Sequence, residues 1–248
     1  MPKFIFKDAK IYLEGRNLSG ELNNIGLEYT AETPERTAFG DNSKRRLPGI
    51  LNASLSMSGY WDAVSATDSL DADLFAEIAA ASGVCSLSPD GGALGDVSYS
   101  FQVQAAEYSP GAAHGEVYKF GLTLNRVGPI DRGTVMESSA FASTANGTAR
   151  QLGAVLATET LYSSIHVVSV SGTNPTLDVI LESDDANDFV GSTTRITHPQ
   201  FTAVGANWQA LAGVNTDVWW RYVLTVGGTD TPTFTVFLVT AIQQTLLP

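Results

Sequence analysis

The segment Asn17–Trp61 constrains the fold of this chain more than any other. Two strand-like runs in it flank Ala31–Gly49, a long charged stretch punctuated by Pro and Gly. The second run, Leu51–Met57, alternates apolar and polar residues with the period of a half-buried strand. A loop of this length inside a compact β-rich chain is uncommon unless it has a function or is disordered. No catalytic group lies nearby in sequence, so we expect the loop to contact another protein.

The charge balance excludes one broad class of function. The 248 residues include 26 acidic and 14 basic ones, for a formal net charge of −12. Affinity for nucleic acids in general requires clustered Lys and Arg that displace counterions. The acidic excess instead suits simple solubility, or a surface past which a polyanion slides without binding. The hydrophobic fraction of 44% is enough for one large or two smaller cores.

Cysteine usage and hydropathy indicate the compartment. Cys85 is the only cysteine, which excludes a fold held by intramolecular disulfides. The N-terminal sequence has no apolar stretch typical of a secretory signal, and no run approaches the roughly 18 apolar residues of a membrane span. We therefore expect a protein made in a reducing cytosol, with no membrane association.

Charge density changes along the chain. Residues 1–137 hold 11 of the 14 Lys and Arg and 18 of the 26 Asp and Glu, which leaves 3 and 8 for residues 138–248. Ser138–Arg150 is a run of small polar residues typical of a linker. The sequence thus predicts a first domain over 1–137, a linker over 138–150 and a second domain over 151–248.

The first half combines strands with one helix. The helix is predicted at Asp71–Ser82, with Leu70, Leu74, Ile78 and Ala81 on one face. Three carboxylates near its start suit the positive N-terminal end and are explained by capping; they are Asp68, Asp71 and Asp73. The predicted strands are Lys10–Leu13, Gly20–Tyr29, Ile50–Tyr60, Val97–Tyr108 and Glu116–Val127.

The second half contains short strands with turn signals between them, as in an antiparallel sandwich. The strands are predicted at Tyr162–Ser171, Thr176–Glu182, Thr193–Thr197, Val218–Val226 and Thr233–Ile242. Val170–Leu177 and Val226–Phe234 share one pattern: a strand, a Gly turn, a Pro that ends pairing, and a new strand. Each therefore predicts a hairpin. The fold class is mainly β, an antiparallel β-sandwich with one flanking helix and a second β-sandwich-like half.

Thr233–Ile242 is apolar on both faces, whereas an antiparallel strand usually leaves one face wet. It is therefore either central between two layers or covered by another subunit. In the second case the strand joins subunits through five side chains, Phe234, Val236, Phe237, Leu238 and Val239.

No reaction chemistry emerges from the sequence. His114, His166 and His198 are isolated and lack metal-ligand spacing, and no nucleophile elbow, P-loop or dinucleotide fingerprint is present. An acidic turn is either a calcium loop or, as we favour, a solvated turn, because it lacks the Gly and late Glu of a calcium loop; its residues are Asp184, Asp185, Asn187 and Asp188. We expect no enzyme activity and no cofactor.

Aromatic and basic residues offer binding surfaces instead. Trp219–Tyr222 alternates, so that Trp220 and Tyr222 share a face, and core packing is the default for that pair. Exposed Trp and Tyr on a β-sandwich would instead bind sugars by stacking. Lys44–Arg46 is the basic cluster, which suits either an acidic patch on an identical copy or a solvated loop tip.

Four ordered motifs resemble the N-terminal region of major tail tube proteins of long-tailed, non-contractile bacteriophages. They are Leu18-Ser19-Gly20, Phe39-Gly40-Asp41, Leu47-Pro48-Gly49 and Ser58-Gly59-Tyr60-Trp61-Asp62. Ser169–Ala186 and Trp219–Ala241 are similar to the C-terminal β-domain of many such proteins. The likeness covers most of the chain.

The resemblance implies a structural virion protein whose rings stack into a tail tube, a channel that delivers DNA into the host. Its partners would be itself, in hexameric or trimeric pseudo-hexameric rings, and the tape measure and tail-end proteins. DNA would pass without specific binding through a lumen that is typically acidic. Assembly would take place in the host cytoplasm. The residues beyond 137 would be an outward decoration or a second tube-like domain.

In this family a long loop after the first strands reaches the adjacent ring, and Ala31–Gly49 occupies that place. The resemblance therefore assigns inter-ring contact to eight residues, namely Pro34, Glu35, Arg36, Phe39, Asp41, Lys44, Arg45 and Arg46. The alternative function is a carbohydrate-binding β-sandwich module of a receptor-binding or adhesin protein.

Overall fold

The computed structural model describes residues 8–47, 49–62 and 69–244, and within them it contains strands and one α-helix. In chain order these are β1 (Lys10–Leu13), β2 (Arg16–Asn17), β3 (Leu22–Ala31), β4 (Leu51–Tyr60), α1 (Leu70–Glu77), β5 (Gly83–Ser88), β6 (Val97–Gly111), β7 (Lys119–Phe141), β8 (Ala145–Asn146), β9 (Arg150–Gln151), β10 (Glu159–Asp184), β11 (Thr193–Thr197), β12 (Gly205–Ala212) and β13 (Trp219–Gln244). The mainly antiparallel β fold with a helix confirms the predicted fold class. No helix of this described part is long and apolar enough to cross a membrane.

The chain divides into two compact units, but not at the predicted boundary. Unit 1 comprises Met1–Gly20, Gly83–Gln102 and Pro129–Pro248, and unit 2 comprises Glu21–Ser82 and Val103–Gly128. β7 runs unbroken through residue 137, and the predicted linker 138–150 contains the end of β7 and the short strand β8, both paired with β13. The small polar residues taken for a linker are therefore part of unit 1. Unit 2 is an insertion within it.

In unit 2, a sheet with one apolar face is built from β3, β4, β7 and the later part of β6. β4 pairs antiparallel with β3 on one side and with the Lys119–Asn125 part of β7 on the other. Alternation places one set of side chains on the buried face, where they form the core of this unit with Leu70 and Leu74 of α1. The buried strand residues are Ala53, Leu55, Met57, Phe120, Leu122 and Leu124.

Helix α1 is shorter than predicted and is anchored differently. It ends at Glu77, and Ile78 is 41% exposed, so the apolar period does not continue to Ser82. The N-cap is Ser69, whose hydroxyl accepts the N–H of Ala72 at 3.3 Å. The expected capping carboxylate Asp68 lies outside the described residues. The carboxylate of Asp71 has another role, described next.

Asp71 connects the helix to two aromatic side chains of unit 2. Its Oδ1 accepts the indole N–H of Trp61 at 2.9 Å and the hydroxyl of Tyr108 at 2.6 Å. We expect Asp71→Ala to lower the free energy of unfolding by about 1–3 kcal/mol, because both donors lose their partner. Tyr108→Phe, which removes one of the two bonds, should cost less. Urea unfolding measures both, and an Asp71→Ala variant as stable as the wild type would contradict this role.

Unit 1 is organised by two long strands. β10 and β13 pair antiparallel along their whole length, from Glu159 opposite Gln244 to Asp184 opposite Trp219. The two predicted hairpins are therefore wrong. Register shifts interrupt the ladder between Val167 and Thr176, and positive φ angles at Gly172 (97°) and Gly228 (120°) let both strands bend together.

The bend folds the ladder over a core. Both halves contribute buried side chains to one cluster, among them Ile165, Val179, Trp220 and Val236. β13 also contributes to a second cluster on its other face, where Phe237 stacks on Tyr12 of β1 with ring centroids 4.4 Å apart. The strand is thus central between two layers of unit 1.

This arrangement corrects the inter-subunit assignment. Phe234, Phe237 and Leu238 are 0% exposed, and Val236 and Val239 are 1% exposed, in the isolated chain. Layers of the same chain already cover both faces. The double-sided apolar pattern gives no reason to place a partner here.

Candidate functional site: a polar sheet face and an exposed ribbon

The sheet of unit 2 has a second face made of small polar side chains, which we call the polar face. Register places Asn24 opposite Ser58, Glu28 opposite Ser54, and Thr30 opposite Asn52. On the other side of β4, β7 adds Asn125 opposite Ser54 and Thr123 opposite Ser56. On β3, β4 and β7 the polar face therefore consists of Asn24, Glu28, Thr30, Asn52, Ser54, Ser56, Ser58, Tyr60, Lys119, Thr123 and Asn125, all exposed or half-exposed.

The composition of the polar face limits what it can do. It carries one carboxylate, Glu28, and at one end a single aromatic ring opposite a single cation, Tyr60 and Lys119. Apart from this pair, it offers no stacking platform for bases or sugars and no cation for a phosphate. Hydroxyl and amide groups keep such a surface hydrated. The acidic excess of the chain is not concentrated here.

β3 is an edge strand within the described part of unit 2. It pairs with β4 on one side, and the described residues place no strand on the other. Ile25 and Leu27 on its inner side are half-buried, and Tyr29 is 48% exposed. An edge with unpaired N–H and C=O groups is a template for pairing with another chain.

Between β3 and β4 the chain forms an exposed antiparallel extension, residues 32–50, which we call the ribbon. Backbone hydrogen bonds continue the hairpin from Glu32 N–H to the Ile50 carbonyl at 2.9 Å, and from Leu47 N–H to the Pro34 carbonyl at 3.0 Å. The Arg36 N–H donates to the Arg45 carbonyl at 2.8 Å. The expected loop is thus a hydrogen-bonded ladder that buries almost none of its side chains.

The tip of the ribbon presents an aromatic ring to solvent. A turn closes between Ala38 and Asp41: the Asp41 N–H donates to the Ala38 carbonyl at 3.1 Å, and the Ala38 N–H donates to the Asp41 carboxylate at 3.0 Å. Gly40 within it has a φ of +102°. Phe39 is fully exposed. An exposed Phe on a built turn marks an interaction site rather than a core residue.

All eight residues predicted for inter-ring contact lie on the ribbon, where some of their charges are paired. Lys44 pairs with Glu35 at 3.2 Å and Arg45 with Asp41 at 3.4 Å. Among the described residues, no ion pair involves Arg36 or Arg46. The ribbon that carries Phe39 therefore also carries two guanidinium groups with no ion-pair partner among the described residues.

Sequence reasoning missed a buried polar chain in unit 1. Ser163 Oγ lies 2.8 Å from His198 Nε2, and His198 Nδ1 lies 2.8 Å from Asn207 Oδ1. Burial lowers the pKa of His198 to about 4, so the ring is neutral. The hydroxyl also bonds Tyr222 at 2.6 Å. This Ser–His–Asn order resembles a catalytic relay, but Ser163 is 0% exposed and His198 3% exposed. A substrate cannot reach the hydroxyl in this structure.

A second buried histidine is held by its neighbours in the same unit. His166 Nε2 lies 2.8 Å from Ser86 Oγ, and its Nδ1 accepts the Gly15 N–H at 3.3 Å. The backbone donor makes Nδ1 the unprotonated nitrogen. Complete burial lowers the pKa of His166 to about 3. Strands β1, β5 and β10 meet here, far apart in sequence, so spacing along the chain gives no signal for the cluster.

Asp131 is a third buried group of unit 1. Its carboxylate accepts the indole N–H of Trp208 at 2.8 Å, and the residue is 2% exposed. Burial raises the pKa of Asp131 to about 7. These buried polar groups of unit 1 therefore affect the stability of the fold rather than a chemical reaction.

The acidic turn is held by its own backbone. The Asp184 carboxylate accepts N–H groups of Ala186 and Gly191, and the Asp188 carboxylate accepts the Val190 N–H. No group of three His, Cys, Asp or Glu residues in the described part is arranged to hold a metal ion.

Trp61, Trp208 and Trp220 are each held by a hydrogen bond from the indole N–H. Trp220 is 0% exposed with its N–H bonded to the Gly153 carbonyl at 2.9 Å, and Tyr222 is 1% exposed, which confirms the core packing expected for this pair. Trp61 and Trp208 donate to carboxylates, as described above. No specific observation favours the sugar-binding alternative.

Comparisons with known proteins give partial likenesses only. No protein-family model matches the chain, and no curated protein matches it. Among solved structures, it is similar to a component of the virion of a native gene transfer agent particle (16% identity, TM-score 0.43, covering 52% of this chain and 98% of the other). It is also similar to the SPP1 Dit protein, described as a hub of the adsorption apparatus in phages that infect Gram-positive bacteria (10% identity, TM-score 0.40, 95% and 99%).

A third likeness is to the tube-terminating cap of the anti-feeding prophage (14% identity, TM-score 0.41, covering 54% of this chain and 93% of the other). At these identities and TM-scores, similarity does not establish a common function.

Proposed function

We propose that this chain is a structural subunit of a bacteriophage tail, which self-assembles into stacked rings around a channel for DNA. The ordered motifs described above support this proposal. The observation that carries it is the construction of unit 2. One side of its sheet is apolar and buried, the other is polar and open, one edge is unpaired among the described residues, and an exposed ribbon extends from it. The open polar side, the unpaired edge and the ribbon are each suited to contacts or a channel in an assembled state.

The polar face is the part of the chain best suited to line the channel. DNA in transit must neither stack extensively nor form many ion pairs with the wall, and this face offers one aromatic ring and one cation, Tyr60 and Lys119, at one end of a surface of small polar side chains. Small hydroxyl and amide groups retain water between the wall and the phosphates. In this role the wall is nearly neutral, with Glu28 as its carboxylate, and the net charge of −12 lies mostly elsewhere.

The unpaired edge of β3 provides a contact within a ring. A strand from the neighbouring subunit that pairs with β3 would satisfy its free backbone groups and cover Ile25, Leu27 and Tyr29. Repetition of the contact around a symmetry axis closes a ring without leaving an edge. The ribbon then remains available for contact between rings. Tape measure and tail-end proteins would bind the same assembly.

Charge reversal tests the role of the ribbon. We expect the triple variant Lys44→Glu, Arg45→Glu, Arg46→Glu to lose stacking, because the cluster changes from +3 to −3 where it faces an acidic subunit. Stability of the free subunit should change by less than about 1 kcal/mol, since exposed ion pairs contribute little. Sedimentation velocity measures assembly, and urea unfolding measures stability.

The matched control reverses two exposed charges outside the ribbon, Lys119→Glu and Arg132→Glu, and should assemble like the wild type. Normal tubes from the triple variant would remove the ribbon charges from the assembly contact. Wild-type protein that stays monomeric in sedimentation and electron microscopy at high concentration would overturn the proposed function itself.

A further inference from the structure

Unit 1 contains a surface cavity of about 140 Å³ with mainly apolar walls. Leu161 and Trp220 form its floor and are 1% and 0% exposed, whereas Leu211 and Val214 are 39% and 64% exposed and lie at its mouth. An apolar cavity of about 150 Å³ binds one benzene ring. The cavity of unit 1 therefore has the size and chemistry for a single aromatic side chain.

Arg195 gives this cavity a charged wall in a fixed orientation. Its Nε donates to Ser183 Oγ at 2.7 Å, and its Nη2 donates to Asn215 at 2.9 Å and to Asp217 at 2.8 Å. These three hydrogen bonds already fix the guanidinium plane, so Arg195 loses little further side-chain entropy when a ligand binds beside it. A guanidinium group beside a cavity favours an aromatic occupant over an aliphatic one.

The surroundings of Arg195 are acidic. Asp217 pairs with it directly, and Asp184 and Asp185 lie close enough to Asp217 to interact electrostatically. Asp184 and Asp185 therefore add negative charge near the Arg195–Asp217 pair, so the surroundings of the cavity on this side, here called its rim, are acidic. An occupant with free positive charge next to its aromatic ring would be complementary to this rim.

We propose that this cavity receives Phe39 from the ribbon of a second copy of the chain. Phe39 is fully exposed on a built turn, and Arg36 and Arg46 on the same ribbon have no ion-pair partner among the described residues. The ring fits the volume, and the two guanidinium groups suit the acidic rim. The inference rests on the proposed self-assembly and specifies its contact: the ribbon of one subunit docks onto unit 1 of another.

Cysteine cross-linking between two separately purified variants tests this contact. One carries Ala38→Cys, beside a retained Phe39, and the other Val214→Cys; both positions are exposed, and the native Cys85 is buried, so the two introduced thiols are the accessible ones. Mixing the two under mild oxidation can form a heterodimeric disulfide only between different copies. The matched control replaces Val214→Cys by Val190→Cys, a more exposed valine (87% against 64%) that does not line the cavity.

We expect at least tenfold more heterodimer with Val214→Cys than with Val190→Cys. In protein without introduced cysteines, Phe39→Ala should weaken the association of subunits about tenfold or more, as expected for an aromatic side chain in a buried pocket. The control Phe75→Ala removes an exposed Phe on α1 and should not weaken the association. Equal yields in both mixtures would overturn the contact, even if tubes form and the proposed function stands. Failure of the wild type to assemble is scored separately, by electron microscopy.

Discussion

Phe237→Ala is expected to lower the free energy of unfolding of the isolated subunit by about 3–5 kcal/mol, the cost of removing a fully buried aromatic ring. Phe237 is 0% exposed and stacks on Tyr12, so truncation leaves a cavity between two layers of unit 1. Phe234→Ala should cost a similar amount, because its ring lies in the core cluster on the opposite face.

The measurement is urea unfolding of the monomer, with Phe75→Ala as the matched control. Phe75 is 71% exposed on α1, so its truncation should change stability by less than about 0.5 kcal/mol. If Phe237→Ala impaired assembly but left the monomer as stable as the wild type, Phe237 would belong to a subunit interface, which would contradict the layered core.

Acidification should destabilise unit 1. The pKa values of His166 and His198 are lowered by burial to about 3 and about 4, below the unfolded value near 6.5. Their contribution is fully present above pH 6.5 and is lost as pH falls, by about 3 kcal/mol each at pH 4. The raised pKa of Asp131, about 7, acts in the opposite sense: its contribution is present below the unfolded value near 3.8 and is lost as pH rises towards 7.

These opposing groups predict stability that is nearly constant above about pH 6.5, with a net loss of about 3 kcal/mol at pH 4, because two histidines outweigh one carboxyl. Urea unfolding across this range measures the stability at each pH. His198→Asn should reduce the loss at pH 4, whereas Asp131→Asn should increase it to about 5–6 kcal/mol, because the opposing carboxyl is removed. A wild-type protein that is equally stable at pH 4 and pH 6.5 would show that the buried histidines are not held neutral.

Local patterns predicted the parts of the fold that local physics determines. The alternation in Leu51–Met57 gave β4 and its buried face, because a period of two decides which side chains face a core. The start of α1 followed from its apolar spacing. The ribbon was recognised by charge and turn residues, and Trp220 was placed in the core by its size.

Features that depend on contacts distant in sequence were not predicted. Gly172, Pro175 and Pro232 have the composition of turns, but a turn and a paired bend use the same residues, and the partner strand decides between them. The predicted domain boundary at residue 137 differs from the observed division because unit 2 is inserted between segments of unit 1. Charge density along the chain does not reveal such an insertion.

The polar contacts of the site were likewise beyond sequence reasoning. Asp71 was taken for a capping residue, since its position at a helix start explains it locally, whereas Trp61 and Tyr108 reach it from other strands and loops. The polar face required knowledge of register: Ser54 and Ser56 are unremarkable until Glu28, Thr123 and Asn125 are placed beside them.

The central claim is that subunits assemble with the polar face towards a channel. Ser56→Cys introduces a thiol at the centre of that face, while the native Cys85 is buried. Protein labelled before assembly with a heavy-atom maleimide and examined by electron microscopy should form stacked rings with label density inside the channel. Label density on the outer surface of the tubes, or a labelled protein and wild type that both remain monomeric, would contradict the account.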